Sequence, residues 1–154
     1  MGLAPYGEPV YYDLIKKELL DIKPDGSFCL NMEYFDYCRD NAMINEKFSA
    51  LFGGSPRKQE TNITKREMDI AASCQKVLEE VVLLLAKHAK EITGEKNLVM
   101  AGGVALNCVA NEKLLHEGLF EDIWIQPAAG DTGGALGSCV ARDVRMLQTA
   151  ALSK

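Results

Sequence analysis

Between residues 64 and 93, apolar side chains recur at positions 70, 74, 77, 78, 81, 84, 85 and 92. Steps of three, four and seven place them along one face of an α-helix. Thr64 followed three residues later by Glu67 reads as a capping box, in which each side chain satisfies a free backbone N–H at the helix start. Ile63 and Met68 occupy the positions of a hydrophobic staple, and Gly94 is a C-terminal stop. A helix of ~28 residues, at about 1.5 Å per residue, would run through much of a domain's length. The period then changes. Asn97–Ala101 reads as a buried strand, 104–118 as a helix ended by Gly118, and Asp122–Gln126 (DIWIQ) as a second strand with Trp124 in the core. A last helix is expected over 132–150, starting with the small residues Gly133, Gly134, Ala135 and Gly137. Strands alternating with helices through short joins imply parallel pairing and right-handed crossovers, hence an α/β fold with mostly parallel strands and packed helices.

Upstream, residues 9–21 (EPVYYDLIKKELL) read as a short amphipathic helix, Pro24-Asp25-Gly26 as a turn and 27–32 (SFCLNM) as a strand. Residues 33–60 lack a period. They carry Tyr34, Phe35, Tyr37, Phe48 and Phe52, close on Gly53-Gly54-Ser55-Pro56, and read as an irregular insertion. No repeat of fixed period is visible. The 154 residues suffice for one domain with a core. The net charge of −5 argues against nucleic acid or an anionic membrane as partner. The longest apolar run, Val81–Ala86, is far short of a membrane span. The N-terminal sequence shows no secretory pattern, and Tyr6 stands where a myristoylation signal has Ser or Thr. The five cysteines are scattered and form no CxxC, which predicts reduced, mostly buried thiols in a cytoplasmic protein. Asn62-Ile63-Thr64 matches a glycosylation sequon by pattern alone.

Candidate chemistry lies in two glycine turns, LVMAGGVALN (98–107) and AAGDTGGALG (128–137). In open α/β sheets, ligands bind at the C-terminal ends of strands, where loops lead into helices. Gly102 and Gly103 fall at such a place, where a bare backbone admits a flat or charged ligand. The following helix start offers free N–H groups and a partial positive charge. Asn107 lies about one turn into that helix, where its amide can hydrogen-bond a ligand. Equally, the glycines can serve only a tight turn that packs helix on sheet. Asp131 has two readings as well: a helix N-cap, or a carboxylate at the mouth of the sheet that binds a metal or positions a ligand hydroxyl. Two such turns at neighbouring strand ends would wall one cleft, one holding the body of the ligand and the other bringing charge to its reactive end.

Other polar residues read as structural. His88 falls on the apolar face of the long helix, at the edge of the core. His116 sits near a helix C-terminus, where it interacts with the dipole. Neither has a metal-ligand partner three or four residues away. Arg57, Lys58, Lys65 and Arg66 form a loose basic cluster, read as solvated surface, with contact to a phosphate or an acceptor as the other reading.

Three segments, MGLAPYGEP (1–9), LVMAGGVALNCVANEKLL (98–115) and IWIQPAAGDTGGALG (123–137), resemble the carbamoyltransferase family of the nodulation and antibiotic-tailoring type. TKREMDIAASCQKVLEEVV (64–82) resembles the helix that precedes the family's GG turn. More distantly the chain resembles the domain of tRNA threonylcarbamoyladenosine enzymes, also of the actin-like ATPase superfamily. The resemblance implies an RNase H-like subdomain, with strand 27–32 in its sheet and the long helix on one face. It implies transfer of a carbamoyl group from carbamoyl adenylate, made from ATP and carbamoyl phosphate, to the hydroxyl of a small-molecule acceptor. Gly102, Gly103 and Asn107 match the adenosine-side motif, and Tyr6-Gly7 a loop near the nucleotide. Asp131 matches the aspartate that, with an HxxxH pair, holds a divalent metal, typically Fe2+. Residues 1–154 then correspond to the second half of the transferase domain, with the first half, the HxxxH pair and the adenylate-forming domain expected elsewhere. So matched, the chain alone would be inactive, and apolar surface left open along the cleft would favour a homodimer. The rival functions are a tRNA-modifying module, a generic actin-like nucleotide-binding module and a non-catalytic binding module.

Overall fold

The strongest sequence signal gives the longest element. In a computed structural model, described over residues 1–38 and 42–152 with side chains to residue 144, the central helix α3 runs Lys65–Thr93. Its start is fixed as the capping box requires of its acid: the Glu67 carboxylate accepts from the Thr64 N–H at 2.8 Å and from the Thr64 hydroxyl. Ile63 stays 45% exposed, so a staple there buries little. Burial on α3 is wider than one stripe. Asp69, Ala72, Ser73, Gln75, Val77, Glu79, Val81, Val82 and Ala86 are all buried, whereas Cys74 is exposed.

The chain divides into two compact units, residues 1–92 and 93–154. In the first, a 3-10 turn (Ala4–Tyr6) leads into α1 (Tyr12–Glu18). Ile15 and Leu19, one helical turn apart, are buried with Phe52 and Val77 in the core of this unit. Lys16 donates to Glu80 Oε1 at 2.7 Å, and the Tyr12 hydroxyl donates to the other oxygen, so α1 is tied to α3 by charge as well as packing. Strands β1 (Leu20–Ile22) and β2 (Phe28–Leu30) pair antiparallel, with Leu20 opposite Leu30. The strand expected at 27–32 is therefore shorter and lies in a hairpin, because the Lys23–Ser27 turn returns the chain at once. Within 33–60 the structure forms a 3-10 turn (Met32–Tyr34) and the short helix α2 (Glu46–Leu51), capped by Asn45. Residues 39–41 of that insertion lie outside the described residues.

In the second unit, β3 (Asn97–Met100) and β4 (Asp122–Ile125) are parallel, with Val99 opposite Trp124 and Met100 opposite Ile125. The connection holds a 3-10 turn (Gly103–Leu106) and then α4 (Cys108–His116). The single helix expected over 104–118 is thus split at Asn107, whose extended backbone (φ −80°, ψ 90°) breaks the spiral. Helix α5 covers Thr132–Leu152. The fold is α/β, but one described sheet is parallel and the other antiparallel, so strands are not mostly parallel.

Two expectations about burial fail. Trp124 is 58% exposed rather than in the core. It points to the same side as Val99, the open side of a two-stranded sheet, while Ile123 and Ile125 face the half-buried side. All five cysteines are exposed. Cys29 lies on β2, whose three residues are all exposed, and Cys108 opens α4.

Candidate functional site

The two glycine turns meet. The Gly102 N–H donates to the Ala129 carbonyl at 2.7 Å, joining the turn after β3 to the turn after β4. Both follow the C-terminal ends of strands paired in parallel, at Met100 and Ile125. Gly102 has φ 99° and ψ 166°, a backbone region essentially reserved for glycine. Gly103 follows with open space around its Cα. Asn107 is the N-cap of α4, its Oδ1 accepting from the Ala110 N–H at 3.1 Å. Its oxygen therefore orders the helix start, and Leu106 just before it lies 3.8 Å from where a Cβ on Gly130 would stand.

Asp131 stands immediately before α5 and is exposed. Its carbonyl accepts from the Gly134 N–H at 3.1 Å, but its carboxylate takes no hydrogen bond among the described residues. The helix-cap reading of this side chain is not realised. Gly133 has no room for a side chain, since a Cβ would lie 2.2 Å from the Ala128 carbonyl oxygen. That close packing holds the turn, and Asp131 with it, against the end of β4.

Asn111 belongs to this site, although nothing marked it in the sequence beyond its place one helical turn after Asn107. Its Nδ2 donates to the Ala105 carbonyl at 2.8 Å and fastens the 3-10 turn to α4. Its Oδ1 is buried without a hydrogen-bond partner.

Tyr6 and Gly7 lie in the other unit. A Cβ on Gly7 would fall 2.1 Å from the Met68 carbonyl oxygen, so the loop rests directly on the first turn of α3. The Glu8 N–H donates to Asp69 Oδ1 at 2.7 Å, and the Tyr11 N–H to Ser73 Oγ at 3.0 Å. The Glu8 amide and the Lys65 ammonium, 2.9 Å away, hold the Asp69 carboxyl below its usual range. Tyr6, on the same loop, is 71% exposed. Gly102, Gly103, Asn107 and Asp131 thus lie on or beside the joined turns of the second unit, and Tyr6 and Gly7 lie in the first.

The metal fits only in part. Among the described residues no three His, Cys, Asp or Glu side chains gather into a group able to hold an ion. Asp131 supplies a single carboxylate, short of the three or so protein ligands a catalytic metal needs. His88 is half-buried, and His116, at the end of α4, lies 3.8 Å from Glu112. The basic cluster is largely engaged: Arg57 donates to the Thr61 carbonyl, Arg66 to the Ser55 carbonyl and to Glu67, and Lys65 pairs with Asp69. No helix among the described residues is long and apolar enough to cross a membrane.

The second unit is an α/β arrangement in which the loops leaving two parallel strands are joined side by side, with the exposed carboxylate of Asp131 following them. The family described as carbamoyltransferase N-terminus matches residues 1–140, and the chain belongs to it. It is 60% identical over 140 residues to an uncharacterised protein of Synechocystis sp., covering 91% of this chain and 23% of that one. It is 37% identical over 150 residues to nodulation protein NolNO of Sinorhizobium fredii, covering 97% of this chain and 20% of the relative. Against nodulation protein NolO of Bradyrhizobium diazoefficiens it is 36% identical over 140 residues, or 91% and 24% of the two chains. The chain therefore spans between a fifth and a quarter of the length of these relatives.

Proposed function

We propose that residues 1–154 form part of an O-carbamoyltransferase, in which the joined glycine turns receive carbamoyl adenylate and the group passes to an acceptor hydroxyl. In that step the hydroxyl oxygen bonds to the carbamoyl carbon, the bond from that carbon to the phosphate oxygen breaks, AMP leaves, and the hydroxyl proton is released. The observation that carries the reading is the Gly102–Ala129 hydrogen bond, which sets the two turns side by side at the strand ends. Family membership supplies the reaction class. Gly102 and Gly103 give the adenosine side close access to backbone, and Asn107 stands next to them as the cap of α4. Asp131 brings negative charge to the reactive end, where it is one ligand for a divalent metal whose other ligands come from outside this chain. Bound there, the metal would supply Lewis-acid polarisation. The acceptor is a hydroxyl-bearing small molecule.

The test pairs the 154-residue chain with the full-length Synechocystis relative. Each is given ATP, carbamoyl phosphate and a panel of hydroxyl acceptors, and carbamoylated product is read by mass spectrometry. Product from the relative and none from the isolated chain is expected. Product from the isolated chain would overturn the division of the site between this chain and the rest; none from the relative, with AMP formed in the same reactions, would overturn the transfer reading.

A further inference from the structure

Residues of the 33–60 insertion wall a cleft in the first unit that the functional reading above does not use. Its volume is about 1030 Å³, at the upper end of the range that small-molecule sites span. Met32, Ile44 and Pro56 supply apolar lining, and Glu33, Asp36 and Glu46 supply carboxylates. Local bonds fix the walls. Asn45 caps α2, accepting from the Lys47 and Phe48 N–H groups at 3.0 and 3.2 Å, while its Nδ2 donates to the Glu33 carbonyl at 2.9 Å. Phe35 and Ile44 pair through a β-bridge, and the Ser55 carbonyl accepts from Arg66 at 2.8 Å. A smaller arm of about 180 Å³ shares Ile44, Ser49, Ser55 and Pro56 with the cleft and continues to Phe48, Phe52 and Ile70. The charged groups lining that arm are engaged: Arg66 pairs with Glu67, and Arg57 donates to the Thr61 carbonyl at 2.6 Å.

The outer cleft keeps a negative charge that the protein does not offset. Lys47 lies 3.0 Å from Glu33 and balances it, whereas the carboxylates of Asp36, which is half-buried, and Glu46 have no partner among the described residues. Glu46 opens α2, where a carboxylate favours a helix start, but Asp36 belongs to no helix and has no such use. A bare metal ion does not suit the cleft, because among the described residues no three His, Cys, Asp or Glu side chains gather closely enough to hold one. Carboxylates spread along a partly apolar cleft suit instead a cation that carries a body of its own. We propose that this cleft binds a small organic ammonium compound with an aromatic body, its ammonium held by Asp36 and Glu46 and its ring laid over Ile44 and Pro56 towards Phe48. The apolar arm and its engaged arginines set that direction, with the charge outward and the ring inward. The site lies wholly within the first unit and stands whether or not the carbamoyl-transfer reading holds.

Tryptamine and tryptophol, which share an indole and differ in carrying an ammonium or a hydroxyl, are the probes that test it. Each is titrated into the isotope-labelled 154-residue chain and followed by the backbone amide signals in NMR. Tryptamine is expected to shift the amides of Ile44, Phe48 and Ser49 saturably in the millimolar range, to bind several-fold more tightly than tryptophol, and to bind more weakly as salt is raised. Asp36→Asn combined with Glu46→Gln is expected to bring tryptamine down to the affinity of tryptophol with little change in melting temperature. Equal affinity of the wild type for the two probes would overturn the inference, as would shifts confined to other parts of the chain or no saturation at all. Undiminished tryptamine binding by the double variant would overturn it too. Should that variant not fold, the salt titration of the wild type decides, and tryptamine binding that ignores salt would overturn the inference.

Discussion

Replacing Gly102 by alanine asks whether the joined turns depend on one backbone conformation. The position is open, with nothing within 4 Å of an added Cβ, so the substitution causes no clash. Its cost is conformational. At φ 99° and ψ 166° an L-residue is strained by about 1–3 kcal/mol if the turn holds its shape. If the turn relaxes instead, the strain is released but the 2.7 Å bond to Ala129 is lost, a net cost of about 0.5–1.5 kcal/mol. Either route destabilises the second unit, by about 2–4 °C in melting temperature per kcal/mol for a protein of this size. Hydrogen exchange at residue 102 separates the routes: the amide stays protected if strain is held and exchanges freely if the turn opens. Gly103→Ala is the control, because that site is equally open and lacks a positive φ, and it is expected to change stability by less than about 0.5 kcal/mol. If Gly102→Ala matched Gly103→Ala in both melting and exchange, the reasoning about this turn would be wrong.

Gly7→Ala is expected to cost about 1–3 kcal/mol by forcing the N-terminal loop off the Met68 carbonyl, while Gly2→Ala, at an open position, costs nothing measurable in the same urea titration. Equal midpoints would deny the clamp. Acid should loosen the start of α3: hydrogen bonds from Thr64 and the Arg66 guanidinium hold the Glu67 carboxyl at about 2, against an ordinary 4.5. A folded pKa below the unfolded one gives stability that is complete above the unfolded value and lost as pH falls through the folded one. The stability gap between wild type and Glu67→Gln should therefore shrink from pH 4.5 towards pH 2; a gap constant across that range would refute the assignment.

Local signals were legible where one or two residues decide the outcome. Thr64 and Glu67 set the start of α3 to within a residue, and the alternation in DIWIQ located β4. The glycine turns were also readable, because the ends of parallel strands are where such loops lie. What escaped depends on distant partners. The hairpin of β1 and β2 is set by pairing across the Lys23–Ser27 turn, where the apolar pattern is equally at home in a parallel sheet. The exposure of Trp124 reflects the lack of cover on one sheet face, and an apolar side chain is the same letter whether covered or not. The packing that requires Gly7 to lack a side chain is made by a helix that starts some sixty residues later, which the local sequence does not show. At Asp131 the sequence permitted a cap or a free carboxylate, and only the turn geometry distinguishes them, through a hydrogen bond that is not made.

That free carboxylate is where the functional account is most exposed. The aspartate aligned with Asp131 in the full-length Synechocystis relative can be replaced by Ala and by Asn. Single-turnover transfer from preformed carbamoyl adenylate is then followed beside adenylate formation from ATP and carbamoyl phosphate. The account predicts that Ala abolishes transfer and Asn sharply reduces it, because the shape survives without the charge, while adenylate formation continues in both. A helix cap would tolerate Asn almost unchanged and lose only about 1 kcal/mol of stability with Ala. Near-native transfer in both variants would contradict the account.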